Sequence, residues 1–376
     1  MKNKYLLFAL TIFLALPSAA IAETERIKVN SFYGKYDVKQ KKSGFPSGSL
    51  KDPVTEEWIT PVPAKSYRIG VLFPHLKDAY WTAANYGIVS YAKKLGVGIT
   101  LQTVGAYINF GDQREQLLDL ADKKEVDGII LSTVDYRKMD RFVEKVTHAG
   151  VPVIGLINDI HTSAIKAKAM VSYFDAGYKA GEFVIKDSLN RNIKVAFFPG
   201  PEKSGWAEDM YKGFMSAVSE LKKERQFVAV LEPLYGDTRP KVQRMRLRAI
   251  FEKQENRDVD YIVGNAVAAI EAVGYLKKNR GINSNAKIVS TYTTSSLYDY
   301  VRTGEIKAAP YDQPMIICQI AIDMMVRLLN GEKAGKDFPF RAGPDYILIT
   351  TENIAQYSYE KLFGPRNFKP VFNVTP

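Results

Sequence analysis

Three residues close together near the start of the folded part of the chain have chemistry that can be read directly. Asp78, Tyr80 and Trp81 fall in the run Phe73-Pro-His-Leu-Lys-Asp-Ala-Tyr-Trp81. Two adjacent large aromatics beside one carboxylate suit stacking on a small solute, or enclosing a cationic one, because ring faces carry negative potential. They do not form an acid/base pair or an activated nucleophile.

Further residues of the same kind recur along the chain. Tyr107 lies in Gly105-Ala-Tyr-Ile-Asn109, Asn158 and Asp159 follow a short apolar run, and Tyr173 and Asp175 follow another. Trp206, Asn265, Tyr292 and the Tyr311-Asp312 pair come later. Many aromatics with few charges favour a small cationic or weakly hydrogen-bonding ligand. A sugar would demand more amide and carboxylate partners, since each buried hydroxyl needs one.

Other chemistries find little support. His75, His148 and His161 are scattered without ligand spacing, so no metal site is expected. No G-x-S-x-G occurs, and Gly200-Pro-Glu-Lys-Ser-Gly205 is only half a phosphate loop, with Trp206 where a lysine would stand. The basic run Lys241-Val-Gln-Arg-Met-Arg-Leu-Arg248 carries apolar residues at helical spacing and reads as a helix with a solvated cationic face. Neither an enzyme, a cofactor nor a nucleic-acid partner is expected.

The elements that would position these residues alternate regularly. Strand-like runs at 67–73, 98–104, 127–132 and 151–156 are separated by helix-like runs at 79–95, 112–124 and 136–148. In the first helix, Trp81, Ala84, Ile88, Ala92 and Leu95 keep a three- to four-residue spacing, and Gly96 is placed to cap it. The alternation restarts, with strands at 193–198, 227–232, 259–263 and 286–290 and helices near 175–189, 206–222, 240–254 and 266–278. Repeated β/α units predict parallel sheets with helices on both faces, here in two similar lobes. Nearly every candidate residue falls just after a predicted strand, at the sheet edge where such folds hold ligands.

At the N-terminus, Lys2 and Lys4 precede an apolar stretch from Tyr5 to Leu16 and a small-x-small site at Ala20-Ile-Ala22. This reads as an export leader over 1–22, with a mature start at Glu23. The net charge is +11, and +9 once Lys2 and Lys4 leave. Later segments lack an apolar run of bilayer length, so the mature chain is not expected to be membrane-embedded. The lone Cys318, inside an apolar helical run, reads as a buried small hydrophobe. Residues 23–65 are rich in polar residues, Gly and Pro and read as an extended arm, with Trp58 the candidate to pin it to the body.

Residues 67–159 resemble the sugar-type periplasmic binding proteins, and about residues 67–373 resemble the TorT family more closely. The resemblance rests on Pro74-His-Leu-Lys-Asp-Ala-Tyr-Trp81, Asn85-Tyr-Gly87, Gly105-Ala-Tyr107, Pro199-Gly-Pro201, Val263-Gly-Asn-Ala-Val-Ala-Ala269, Asp312-Gln313 and Asn367-Phe-Lys-Pro-Val371. It implies a type I periplasmic binding protein fold: two doubly wound α/β lobes with parallel sheets, joined by a three-strand hinge. It also implies lobes at 66–172 plus 312–336 and at 173–311 plus 337–352, with a tail over 353–376. In function it implies a periplasmic protein that senses trimethylamine N-oxide (TMAO) and binds the sensor domain of a TorS-type histidine kinase. An aromatic box of Trp81, Tyr107, Tyr173 and Tyr292 would hold the solute, with Asp78 and Tyr80 beside it and Tyr80 a candidate donor to its oxygen. Asp175, Trp206, Asn265 and Asp312 complete the ten candidate ligand-binding residues. The sequence departs from the family at Tyr173, where a tryptophan is expected, and at Asp175 and Trp206. The alternative is a sugar-type solute receptor for an ABC uptake transporter.

Overall fold

The computed structural model describes residues 27–36, 48–279 and 285–376. The expected leader and the start of the arm lie outside the described residues. Four short strands open the described chain: β1 (Lys28–Phe32), β2 (Gly34–Tyr36), β3 (Gly48–Leu50) and β4 (Val54–Glu57). The first alternation follows as β5 (Arg68–Phe73), α1 (Ala79–Leu95), β6 (Gly98–Thr103), α2 (Phe110–Asp122), β7 (Gly128–Leu131), α3 (Asp140–His148), β8 (Val153–Leu156) and β9 (Lys168–Ala169). The second runs α4 (Tyr173–Asp187), β10 (Ile193–Phe198), α5 (Trp206–Leu221), β11 (Val228–Val230), α6 (Pro240–Phe251), β12 (Tyr261–Gly264), α7 (Ala266–Lys278), β13 (Lys287–Ser290), α8 (Tyr298–Arg302) and β14 (Ala308–Tyr311). The last elements are α9 (Pro314–Leu329), β15 (Arg341–Pro344), β16 (Ile347–Thr350), α10 (Tyr359–Phe363) and β17 (Asn373–Val374).

β2 and β3 pair with each other, and the other strands form two large sheets. One has nine strands in the order β17-β6-β5-β7-β8-β9-β15-β1-β4, and the other six in the order β11-β10-β12-β13-β14-β16. Their centres are parallel, as expected; β7, β8, β12 and β14 are buried along their whole length. Strands covered by helices on both faces read as continuous apolar runs. Antiparallel strands are added at the margins, where β16 pairs with β14 and β17 with β6.

Caps fix the helix that follows the first strand. Asp78 Oδ1 accepts from the Trp81 N–H at 3.1 Å, and Gly96 ends α1 at φ 73°. Helix α9 packs on α1 so closely that a Cβ at Gly87 would lie 2.7 Å from Met315 Cα. Cys318 is fully buried in α9 and free.

The chain passes between the sheets at 170–172, 312–313 and 345–346, and returns a fourth time over 351–372 to place β17 in the nine-stranded sheet. The second and third passages are tied together: Gln313, in the left-handed region at φ 59°, donates from Nε2 to the Asp345 carbonyl at 2.7 Å. The third passage corrects the expected placement of 337–352 in the second lobe. Strand β15 belongs to the nine-stranded sheet and only β16 to the six-stranded one. Arg341-Ala-Gly-Pro344 has no β-branched residue and carries Gly and Pro, so its sequence gives no strand signal.

The arm is also more than an extended connection. β1 pairs antiparallel with β15 and β4 with β1, so the segment widens the first sheet. Trp58 does pin it: its indole donates to Asp323 Oδ2 at 2.7 Å, while Tyr91 donates to Asp323 Oδ1 at 2.7 Å. Burial pushes the Asp323 carboxyl up to about 7, against the pull of Tyr91 and Trp58. A carboxyl raised above its unfolded value contributes stability that is complete below about pH 4 and is lost as pH rises through about 7. The Asp323→Asn protein should therefore show a flatter loss of stability than wild type between pH 5 and 8 in urea titrations. Equal slopes for the two proteins would refute the assignment.

Candidate functional site

Where the carboxyl ends of both parallel sheets face each other, loops carry aromatic side chains into one cavity of about 50 Å³. The loop after β5 brings His75 and Asp78, and the first turn of α1 brings Tyr80 and Trp81. The loop after β6 brings Tyr107, and that after β8 brings Ile157 and Asn158. Tyr173 opens α4 directly after the first passage between sheets. From the second lobe come Trp206 and Met210 on α5, Thr238 before α6, Tyr292 after β13 and Asp312 after β14.

Local sequence explains how the indole of Trp206 is set. Gly200 lies at φ 125°, and a Cβ there would meet Trp206 Cη2 at 2.5 Å. Only glycine satisfies both the backbone angle and the approach of the ring.

The rings form a continuous wall of near-perpendicular neighbours. Tyr107 and His75 have centroids 5.6 Å apart, His75 and Trp81 6.1 Å, and Trp81 and Tyr80 5.5 Å. Tyr80 then meets Tyr292 across the cleft at 6.0 Å, and Tyr292 meets Trp206 at 5.9 Å and 90°. Edge-to-face contacts of this kind are favoured by the ring quadrupole and hold each ring's orientation. Phe73 backs Trp81 at 5.0 Å.

Polar groups in the wall are few, and several are already engaged. Tyr80 donates to Asp312 Oδ2 at 2.5 Å, which occupies the hydroxyl expected to serve the solute. Tyr173 donates to the Ile157 carbonyl. Asn158 Nδ2 donates to the Tyr107 hydroxyl at 3.1 Å and to the Thr133 carbonyl at 2.9 Å. Three buried atoms remain without partners: Trp206 Nε1, Asp312 Oδ1 and His75 Nδ1.

Burial pushes the phenols of Tyr80, Tyr107, Tyr173 and Tyr292 upward, so all four stay neutral donors. His75 is lowered by burial in spite of Asp78, whose Oδ2 lies 3.8 Å from His75 Nε2. Asp312 is raised by burial to about 7, with the Tyr80 hydrogen bond opposing. The arrangement is a ring-walled cage with indole N–H groups beside the Tyr107 hydroxyl and one carboxyl poised near neutrality.

Eight of the ten expected residues line this cavity: Asp78, Tyr80, Trp81, Tyr107, Tyr173, Trp206, Tyr292 and Asp312. Asn265 does not. It caps α7, accepting from the Val267 and Ala268 N–H groups at 3.1 and 3.0 Å and donating to the Phe198 carbonyl at 3.2 Å. The position after a strand recruits helix caps as readily as ligand groups. Asp175 also lies elsewhere, in the first turn of α4 beside a separate groove that includes Arg341. Met210 carried no signal because it sits within α5, and Thr238 because it lies eight residues beyond β11, at the far end of the loop into α6. His75 has no metal-ligand spacing to His148 or His161, so its place in the ring wall leaves no trace in the sequence. Among the described residues no cluster of three or more metal-ligating side chains occurs, and no helix is long and apolar enough to cross a membrane.

The sequence matches the periplasmic binding protein domain family over residues 69–333, well over half of the chain. Periplasmic protein TorT of Escherichia coli (strain K12) is 26% identical over 321 residues, which cover 85% of this chain and 88% of that protein. Among solved structures, an ABC transporter solute-binding protein from Bradyrhizobium sp. BTAi1, with bound Bis-Tris, is 29% identical at a TM-score of 0.77 and covers 94% of this chain and all of its own. The complex of the TorS sensor domain with TorT in the presence of TMAO contains a chain 23% identical at a TM-score of 0.71, covering 82% of this chain and 100% of that one. The last is an agreement of fold. These relatives are binding proteins, and the likeness to TorT agrees with the sequence motifs that suggested it.

Proposed function

This chain belongs to the periplasmic binding protein domain family, and from that premise we propose that it holds TMAO, or a similar small methylated nitrogen compound, in the ring-walled cavity. We propose further that lobe closure presents the occupied state to the sensor domain of a membrane histidine kinase. The observation that carries the reading is the wall of six rings, drawn from both lobes, around a space with few unsatisfied polar atoms. Methyl groups on a positive nitrogen are attracted to ring faces, most strongly where water is excluded. The buried Trp206 N–H, which has only the Tyr107 hydroxyl near it, matches the single oxygen of an N-oxide.

A bound solute touches Trp81 on one lobe and Trp206 on the other, so it stabilises the closed arrangement by its differential contacts. The kinase partner is inferred from the TorS–TorT complex of similar fold. The second reading, an uptake receptor for a sugar-like solute, is favoured by the extent of the match to the transporter protein. Against it stands the cage itself, which lacks the hydrogen-bonding partners that several hydroxyls would require.

Calorimetry separates the two. TMAO should give saturable heat, and ribose should give only heat of dilution. Trp206→Phe keeps a ring in place and removes the donor. It should weaken TMAO about tenfold or more, the effect of one charge-assisted hydrogen bond, and leave tetramethylammonium, which has no oxygen, nearly unchanged. Saturable ribose binding with no TMAO binding would establish the second reading instead.

A further inference from the structure

Arg341 raises a separate question. It stands on β15 and is only 3% exposed, yet its buried Nε has no hydrogen-bond partner among the described residues. Its guanidinium lies over the Phe32 ring, 5.1 Å from the centroid. Its neighbour across the sheet, Lys168, has already taken Asp159 at 2.6 Å. Buried charge normally carries a counter-charge and hydrogen bonds; here the Asp159 and Asp175 carboxylates favour the charge, but Nε is left without an acceptor.

Arg341 lines a groove of about 380 Å³ beside the hinge, separate from the cage. Tyr346, on the third passage between sheets, lines it too, and its hydroxyl is buried and unpartnered. Asp175 and Lys179 of α4 face the groove from the second lobe. Asp345 also lines it, engaged by Asn30 Nδ2 at 2.5 Å.

We propose that this groove is a second ligand site and that it takes a small carboxylate on Arg341 and Tyr346. The planar fork of a guanidinium matches two carboxylate oxygens. The nearby Asp175 and Asp345 carboxylates repel a multiply charged anion more than a singly charged one, which disfavours phosphate. Because Arg341 belongs to the first lobe and Asp175 and Lys179 to the second, an occupant would bias the hinge as well. The proposal does not rest on which solute fills the cage.

The test follows the thermal midpoint of the whole mature protein in sodium acetate, sodium phosphate and sodium chloride at matched ionic strength. Acetate should raise the midpoint above chloride, and phosphate should not exceed acetate. In Arg341→Gln the acetate concentration for half-effect should rise about tenfold or more, as for loss of a charge-assisted pair. Should that variant fail to fold, Tyr346→Phe carries the test, with a several-fold rise expected. The proposal is overturned if acetate acts no differently from chloride, if phosphate acts more strongly than acetate, or if the folded variants respond like wild type.

Discussion

Trp81→Ala should bind TMAO about a hundredfold more weakly than wild type. Trp81 is the ring that joins the two halves of the first lobe's wall, touching His75 on one side and Tyr80 on the other. Its removal takes away a desolvated ring face, worth about 2 kcal/mol to a cation, and some apolar area, worth about 1 kcal/mol more. Together that is roughly two decades of affinity. It also leaves Phe73 and Tyr80 without the ring that orients them. Trp81→Phe should recover part of the loss, because a smaller face remains. Calorimetry on proteins whose circular dichroism matches wild type is the measurement. Equal affinities for wild type and Trp81→Ala would remove the cage as the binding site.

Asp159→Ala should cost about 3–5 kcal/mol of stability, the usual penalty for stranding one member of a buried ion pair. Lys168 Nζ sits against Asp159 Oδ1 at 2.6 Å, with the Tyr36 hydroxyl and the Ile160 carbonyl each at 2.9 Å. Its side chain is 4% exposed, so water cannot replace the lost carboxylate without opening the lobe. The Tyr36 ring face, 4.1 Å from the ammonium, offsets little of that loss. A double variant, Asp159→Leu with Lys168→Met, removes both charges and should regain most of the stability. Urea unfolding of the three proteins checks the claim, and a loss under about 1 kcal/mol for the single variant would contradict it.

The alternation of strand and helix was legible because both sheets are parallel and covered, which forces apolar runs of strand length between amphipathic helices. Most of the cage was legible for a related reason. Residues following a parallel strand arrive at one edge, so Tyr107, Tyr292 and Asp312 could be assembled without coordinates. The same rule could not separate Asn265, which serves the backbone, from its neighbours that serve the cavity. It missed Thr238, which does follow β11 but only at the far end of a long loop. Nor could it show that the Tyr80 hydroxyl is occupied by Asp312, since the partner is a distant residue. The role of Arg341 was hidden for a different reason. A cation in a Gly- and Pro-containing segment reads as a surface turn until the pairing of β15 between β9 and β1 buries it.

One consequence follows from strand β17. The first sheet begins with residues near the start of the described chain and ends with Asn373 and Val374, which flank β6 after the polypeptide has built the entire second lobe. The Asn85 amide holds this returning segment at both the Val371 carbonyl and the Val371 N–H, each at 2.8 Å. Such distant pairings form late and slowly. A growing chain therefore leaves the ribosome with its earliest half still lacking its outermost strand until the last residues are made.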